Sequence, residues 1–216
     1  MVDATGSADV AAAAGAPTTG ITDEHVAVQG TGLAYVSPDM FYNNTDHNFS
    51  DDNDVVDATS FLVTTKEKFR DEFDLGQLVD TRERRQIVGE ITLGPADFLA
   101  QRTFPDSICL SSSNFDTHGF TIHPLFLVKP PDKARMWVYV PYRCLLPRGV
   151  EGVLVTGLGV SAHRDAIPVI RMQPDVQNQG YAAGLAASMA ARGGVPLREI
   201  DIKKLQRHLV EIGNLP

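Results

Sequence analysis

The chain has 216 residues, of which 43% are hydrophobic, and it carries a formal net charge of −8 at pH 7. This length and apolar content suffice for one large domain, or parts of two, with a substantial core. The acidic balance argues against nucleic-acid binding, which needs clustered Lys and Arg, and no apolar run reaches membrane-spanning length.

Two further features of the whole chain bear on its location. The N-terminus has no basic region ahead of an apolar stretch, so it is not typical of a secretory signal. The two cysteines, Cys109 and Cys144, are too few for a disulfide framework and have no metal-site spacing. We therefore predict a cytoplasmic protein with no nucleic-acid, membrane or metal partner.

The first twenty residues carry a strand–glycine–helix pattern. The letters "VDAT" are typical of the end of an apolar strand, Gly6 follows, and "ADVAAAAG" indicates a short helix closed by Gly15. Such a step usually lies inside an α/β domain. We therefore expect the sequence to begin in the middle of a fold.

The next 55 residues or so are more polar. Residues 38–57 predict a solvated acidic loop, with ligand-type residues that alternate as in a calcium loop. However, the sixth position is Asp51 where such a loop needs glycine, and the twelfth is Asp57 rather than Glu, so a loop without calcium is favoured. Residues 61–75 predict an amphipathic helix.

The middle of the chain, from about residue 80 to 145, is predicted to be rich in strands. The β-branched and aromatic content favours strands at 84–93, 119–128 and 135–147, with a short helix at 96–102 and a turn at 129–134. Cys144 is interpreted as a buried apolar residue, because no second cysteine lies at C-x-x-C spacing.

The last third begins with an apolar strand of the parallel type, Val153 to Val155, which ends in Gly157 and Gly159. A helix over 174–190 follows, built almost wholly of small residues and starting at Pro174. Its first-turn N–H groups and its dipole suit an anion or a polarised carbonyl. The helix residues alone favour a helix packed tightly on a sheet with no ligand at its tip, and the rest of the chain must decide. An amphipathic helix then closes the chain.

Four segments in this order resemble one family. They are "DATGSADVAAAAGAP", "DTRERRQIVGEITL", "VPYRCLLPRGVEGVLVTG" and "SAHRDAIPVIRMQPDVQNQGYAAGLAA". Together they resemble the FAD-dependent oxidoreductases of the glutathione-reductase-like fold, in the group often labelled xanthan-lyase-like. Agreement of all four segments is much more specific than any one of them.

The resemblance implies an α/β fold, namely an incomplete Rossmann-like FAD-binding domain with an inserted β-rich substrate domain. Residues 1–20 would be the last strand and helix of the N-terminal FAD-binding half, 21–145 the substrate domain, and 146–216 the C-terminal part of the FAD-binding domain. No G-x-G-x-x-G turn is present, since "GTGLAY" at Gly30 lacks the flanking strand and helix. The missing half is expected in cis or as a separate chain.

The resemblance also implies a cofactor site. Gly6 and Gly157 would let the dinucleotide come close to the backbone, the helix at Pro174 would direct its N-terminus at the flavin ring, and Arg171 would add positive charge. The full set of implied FAD-binding residues is Thr5, Gly6, Gly157, Ser161, Arg171, Met172, Gln173 and Pro174. Two departures stand out: the family carries a polar residue and a cysteine where this chain has Leu158 and Gly159, and Thr where it has Asp175.

Further side chains are candidates for chemistry and substrate binding. His118 and His163 are predicted proton carriers, with a solvated turn residue as the alternative for His118. The predicted substrate-binding residues are Arg82, Arg85, Tyr142 and Arg143, although Arg82 and Arg85 equally fit surface ion pairs.

The predicted function is hydride transfer from an organic substrate to FAD, and the family label implies a carbohydrate or other polyol as that substrate. The alternative is a non-catalytic remnant, or a subunit that needs a partner carrying the dinucleotide-binding half.

Overall fold

The computed structural model describes residues 1–20, 33–35, 42–44, 54–68, 70, 84–116, 121–128 and 135–216. The chain divides into two compact units. The first comprises Met1–Gly20, Arg85–Asp116 and Ile122–Pro216, and the second comprises Ile21–Arg84 and Thr117–Thr121. Much of the segment predicted as an inserted domain, 21–145, thus belongs to the first unit; its role as a substrate domain stays a prediction.

The strands and helices are as follows. The strands are β1 (Val2–Asp3), β2 (Thr18–Thr19), β3 (Leu33–Tyr35), β4 (Tyr42–Asn44), β5 (Gln86–Ile87), β6 (Ser107–Ser113), β7 (Met136–Pro141) and β8 (Leu154–Val155). The α-helices are α1 (Asp9–Ala13), α2 (Val55–Lys68), α3 (Pro95–Leu99), α4 (Leu125–Val128), α5 (Ile167–Ile170), α6 (Gln173–Gly193) and α7 (Ile202–Glu211). Short 3₁₀ turns cover Tyr142–Leu145, Gly157–Gly159 and Leu197–Glu199. None of the described helices has the length and apolarity needed to cross a bilayer.

In the first unit, β1 pairs in parallel with β8, in the register Val2 with Leu154 and Asp3 with Val155. The parallel type predicted for the strand at Val153–Val155 is confirmed, and so is the strand–glycine–helix step at β1 and α1. β2 pairs antiparallel with β5, and β6 pairs antiparallel with β7. Each described sheet has two strands.

The second unit contains the antiparallel pair β3–β4, in the register Leu33 with Asn44 and Tyr35 with Tyr42, and the helix α2. The loop predicted over 38–57 is therefore wrong at two places, since Tyr42–Asn44 is a strand and α2 begins at Val55. Asp54 accounts for that start, because its carboxylate accepts the Val56 N–H at 2.8 Å. Residues 45–53, where most of the calcium-type residues fall, lie outside the described part.

The longest helix, α6, packs against β6, β1, β8 and α7. Its alanines make this possible: Ala182, Ala183 and Ala186 are fully buried, so the helix lies close to the sheets. α7 buries Leu205 and Leu209, while Ile212, predicted on the same apolar face, is half exposed. Both predicted helices are confirmed, with α6 three residues longer at its C-terminal end than expected.

The middle of the chain differs from the sequence predictions in two places: one predicted strand is wrong, and one strand was not predicted. The strand predicted over 119–128 is not formed by its described residues, 121–128, because Leu125–Val128 is the helix α4. β6 was not predicted, since three of its seven residues in "SICLSSS" are consecutive serines at its end. Of these, Ser113 lies on the buried face together with Ser111 and Cys109.

Asp3, at the end of β1, is buried and holds the β1–α1 turn together. One carboxylate oxygen accepts the Thr5 N–H at 3.0 Å and the Thr5 hydroxyl at 2.8 Å, and the other accepts the Ala11 N–H at 2.9 Å. Burial alone would raise the pKa of Asp3, but the hydrogen bonds from Ala11 and Thr5 outweigh it and lower the pKa. The ionised form therefore stabilises the fold.

We expect Asp3→Asn to destabilise the protein by about 2–3 kcal/mol at pH 7, because an amide NH₂ group would face buried N–H donors. The native pKa lies below the unfolded value, so this stabilisation is present above about pH 4 and is lost as pH falls through the native pKa. Urea unfolding of both proteins between pH 3 and pH 7 measures the difference. A gap that stays constant over this range would contradict the expectation.

Candidate functional site

The carboxyl ends of β1 and β8 meet at one edge because the two strands are parallel. Gly6 follows β1 with φ +82°, and Gly157 follows β8 with φ +76°, a backbone conformation that favours glycine. A Cβ added at either glycine would meet no heavy atom of the described residues within 4 Å. Open space therefore lies beside both turns, at the kind of sheet edge where α/β folds bind ligands.

The two turns are packed directly against each other through Gly159. A Cβ at Gly159 would lie 3.0 Å from the Ala8 backbone nitrogen and 3.1 Å from the Ala8 Cβ. The family's cysteine cannot stand here without moving the β1–α1 turn. This departure from the family pattern thus has a local steric reason.

Thr156, between β8 and Gly157, adds a polar atom to the same edge. The residue is buried, and its hydroxyl has no hydrogen-bond partner among the described residues. Such an orphaned group calls for a partner outside the described chain. Sequence reasoning did not single out Thr156, although a polar residue at the end of "VLV" is the available signal.

The N-terminus of α6 is accessible to solvent. Gln173 and Pro174 are exposed, Met172 is partly exposed as the N-cap residue, and no side chain of the described residues caps the helix. The Val176 N–H bonds to the Met172 carbonyl at 3.0 Å, which starts the helical ladder. The helix therefore begins at an exposed tip whose first N–H groups have no intrahelical acceptor, and its role as an anion site stays a prediction.

Asp175 lies in the first turn of α6 but is itself buried. One carboxylate oxygen accepts the Ser112 N–H of β6 at 3.3 Å, and the other has no partner among the described residues. Burial is the largest effect and raises the pKa of Asp175 to about 6, against the lowering by the Ser112 N–H, the Ser111 hydroxyl and Arg135. The carboxyl group is thus poised to change charge near neutral pH.

Two of the predicted FAD-binding residues have structural partners. Arg171 donates to the Asp116 carbonyl at 2.7 Å and to its carboxylate at 3.1 Å. Ser161 is buried, with its hydroxyl 3.0 Å from that of Thr92. A Cβ at Gly89 would lie 2.6 Å from the Ser161 Cβ, so these two residues are in very close packing. Ser161 is therefore held inside the first unit by Thr92 and Gly89.

Thr5, the third polar candidate, is exposed at the β1–α1 turn. Its hydroxyl donates to Asp3 and accepts the Asp9 N–H at 2.9 Å, so it fastens the start of α1. Arg85 reaches the same turn, where it forms a 3.4 Å ion pair with Asp9 between two exposed side chains. The turn thus brings together Thr5 and Gly6, which are predicted to bind the cofactor, and Arg85, which is predicted to bind the substrate.

His163 lies beside a histidine that sequence reasoning missed. The rings of His163 and His123 meet edge to face with centroids 4.9 Å apart. His163 Nδ1 accepts the Asp165 N–H at 3.1 Å, and His123 Nδ1 accepts the Leu125 N–H at 3.2 Å. These bonds assign the proton of each neutral ring to Nε2, which suits donation of a hydrogen bond more than abstraction of a proton.

Asp165 fixes this pair in place. Its buried carboxylate accepts the N–H groups of Ile122 and His123, at 2.8 and 2.7 Å, and forms a 3.1 Å ion pair with Arg164. Acceptance of these two N–H groups positions the chain that enters α4. The remaining proton-carrier candidate, His118, lies outside the described residues, as does Arg82.

Tyr142 and Arg143 are built into the first unit. The Tyr142 hydroxyl donates to the Leu197 carbonyl at 2.9 Å, and burial raises its pKa. Arg143 forms a two-pronged ion pair with Asp106, at 2.9 and 3.1 Å. Neither side chain is brought to the edge at Gly6 and Gly157 by a contact that the structure describes, and their substrate role stays a prediction.

A groove of about 630 Å³ lies elsewhere, between the C-terminal half of α6 and α7. Leu185, Met189 and Ile200 contribute apolar lining, and Arg192 and Lys204 contribute charge. None of the predicted site residues lines it. In the described part of the chain, no three His, Cys, Asp or Glu residues are grouped so as to hold a metal ion. Cys109 and Cys144 are both buried thiols.

Comparison with known proteins decides the family. A family model described as FAD dependent oxidoreductase matches residues 21–209. The chain belongs to this FAD-dependent oxidoreductase family. Searches of curated proteins and of solved structures gave no match. The matched range includes three of the four resembling segments, whereas the segment at residues 3–17 precedes it.

Membership of the FAD-dependent oxidoreductase family implies FAD as the cofactor and a flavin-linked redox function. The described residues fit a dinucleotide at the β1–β8 edge in two respects: the space beside Gly6 and Gly157, and the orphaned Thr156 hydroxyl. The uncapped α6 terminus is a separate feature that suits a negatively charged group. The ionised form of Asp175 opposes an anionic ligand, and its protonated form does not.

Proposed function

We propose that this chain forms the C-terminal part of an FAD-binding domain and serves an oxidoreductase that transfers a hydride from an organic substrate to the flavin. The single observation that carries the proposal is the open, glycine-lined edge at the ends of β1 and β8, in a chain whose family uses FAD. Bound FAD would supply the hydride-accepting chemistry.

The chain's own residues would perform four tasks. Gly6 and Gly157 admit the dinucleotide close to the backbone, and Thr156 offers its hydroxyl as a hydrogen-bond partner. The α6 terminus, with Met172, Gln173 and Pro174, presents its positive end to the developing negative charge of the cofactor. Arg171 is held near this end by Asp116, where its charge adds to that of the helix.

The hydrogen bond that His163 Nδ1 accepts suggests how the two candidate histidines would share the work on the substrate. We assign His163 the donation of a hydrogen bond from Nε2, and leave the abstraction of the substrate proton to His118. Arg82, Arg85, Tyr142 and Arg143 remain the proposed substrate-binding residues, and a polyol or carbohydrate remains the proposed substrate class. A cytoplasmic location is proposed with them.

The second candidate is a non-catalytic remnant, or a subunit that acts with a partner carrying the dinucleotide-binding half. One observation favours it: the parallel sheet at the proposed site has only two strands in the described residues, and two-stranded sheets are marginally stable by themselves. A further strand-bearing segment, in cis or from another chain, would complete such a sheet.

FAD binding tests both candidates. We expect the chain, mixed with FAD and freed of excess cofactor, to retain a visible flavin absorption that a reductant bleaches, and to melt at a higher temperature than the apoprotein. The same measurement is repeated in the presence of a dinucleotide-binding half from a family member. Retention only in the mixture would support the partner-dependent form. No retention and no thermal shift in either sample would reject FAD binding by this chain.

A further inference from the structure

Asp175 has fewer hydrogen-bond and ion-pair partners than other buried acids of the first unit. Asp3 accepts three hydrogen bonds, Asp106 pairs with Arg143, and Asp165 pairs with Arg164. Asp175 accepts the Ser112 N–H at a long 3.3 Å and is stabilised further by the Ser111 hydroxyl, but its second oxygen is buried with no hydrogen-bond partner by geometry among the described residues. An unpaired buried carboxylate is costly, so a reason for its presence is needed.

The surroundings of Asp175 favour a neutral acid. The facing surface of β6 carries Cys109, Ser111 and Ser113, all buried, and the Ser113 hydroxyl is also without a partner. Among the described residues, the titratable or charged groups that act on Asp175 from its packing neighbours are the Cys109 thiol of β6 and the Arg135 guanidinium that precedes β7. Arg135 is exposed and donates to the Ser112 hydroxyl, so its positive charge stabilises the Asp175 carboxylate only from a distance.

The position of Asp175 gives this carboxylate a functional consequence. It lies two residues after Gln173, in the first turn of α6, whose exposed tip is the proposed anion-accepting end. A negative charge there cancels part of the positive helix end that a flavin would use, whereas a protonated acid leaves it intact.

We propose that Asp175 is a positioning residue that makes flavin binding at the α6 terminus depend on a proton: the protonated carboxyl admits the anionic ligand, and the ionised carboxylate opposes it. This inference rests on the proposed function. By linkage, bound FAD must in turn favour protonation of Asp175. The burial that raises the pKa of Asp175 to about 6 places this exchange in the physiological range.

The experiment measures FAD affinity from pH 5 to pH 8 in the form of the protein that binds FAD, alone or with the dinucleotide-binding half. The wild type is expected to bind about tenfold more tightly at pH 5 than at pH 8, which corresponds to about one pKa unit of coupling. Asp175→Asn, which mimics the protonated acid, is expected to bind at pH 8 as the wild type does at pH 5, with less than about a twofold change across the range.

Two further variants serve as controls, one for poor folding of the Asn variant and one for the loss of a negative charge elsewhere. Asp175→Thr is also neutral and carries the family's residue, so it should share the flat pH profile if the Asn variant folds poorly. Glu211→Gln removes one negative charge from an exposed site at the end of α7 and should keep the wild-type profile. A wild-type pH slope that survives in both Asp175 variants would overturn the inference while leaving FAD binding intact.

The apoprotein provides a readout that does not depend on flavin. Because the native pKa is raised, the native state binds the extra proton between about pH 4 and pH 6, and stability falls as pH rises through that window. The melting temperature of Asp175→Asn should therefore gain about 5 °C relative to the wild type between pH 4 and pH 7. An unchanged difference would overturn the inference, whereas absence of FAD binding with this gain present would locate the failure in the proposed function.

Discussion

Replacement of Arg198 by Met is expected to lower the free energy of unfolding by about 3 kcal/mol, the largest loss of stability among the predicted changes. The Arg198 guanidinium bonds to Glu90 at 2.6 Å, to Glu151 at 2.6 Å, to the Val150 carbonyl at 3.1 Å and to the Pro147 carbonyl. It thus joins the Leu197–Glu199 turn to two other parts of the chain. Removal of the guanidinium leaves carbonyls and a half-buried carboxylate without their donor.

The measurement is thermal and urea unfolding of the variant beside Arg85→Met. For a chain of this size the expected loss corresponds to a melting temperature lower by about 6–10 °C. Arg85 makes one 3.4 Å ion pair between exposed side chains, so its replacement should change stability by less than about 1 kcal/mol. Equal effects of the two replacements would show that the Arg198 network contributes no more than a surface pair.

Gly157→Ala is expected to weaken FAD binding at least tenfold, the largest effect among the predicted changes at the cofactor site. The glycine has φ +76°, so alanine adds backbone strain of about 1–2 kcal/mol, and its methyl group enters the open space beside the turn. Within the part of the chain that the structure describes, no atom lies within 4 Å of that methyl position, so any loss of affinity beyond the strain reports a ligand that occupies it.

Gly194→Ala is the matched control, because it separates strain from occupancy. Gly194 has φ +63° and equally open surroundings, but it follows the C-terminal end of α6. Both variants should lose similar stability by urea unfolding, and only Gly157→Ala should lose FAD affinity by equilibrium titration. Unchanged affinity in Gly157→Ala would place the dinucleotide elsewhere.

Local patterns were enough to predict the elements that frame the proposed site. The strand ends at Asp3 and Val155, the positive-φ glycines after them and the long helix after Arg171 all follow from apolar runs, glycine placement and an early proline. α4 was not predictable in this way. Its start depends on Asp165, whose carboxylate accepts N–H groups from residues 42 and 43 positions away.

The chemistry of the site was less accessible to sequence reasoning than its backbone. Asp175 was recognised as a departure from the family, but its burial depends on Ser112, which is 63 residues earlier in the chain. His123 was missed because the sequence of its segment predicts a strand, and because its contact with His163 depends on the tertiary structure. Such contacts between distant segments leave no periodic signal in the sequence.

Gly89 and Ser161 are 72 residues apart in the chain but approach each other closely, so a substitution at one position restricts which residues fit at the other. The backbone of Gly89 does not have the positive φ that favours glycine, so the need for glycine comes from its neighbour. A larger residue at position 89 becomes sterically easier only after position 161 has lost its own Cβ. Natural variants of this chain should therefore change the two positions together, and divergence at one of them alone would mark a rearranged turn after β8.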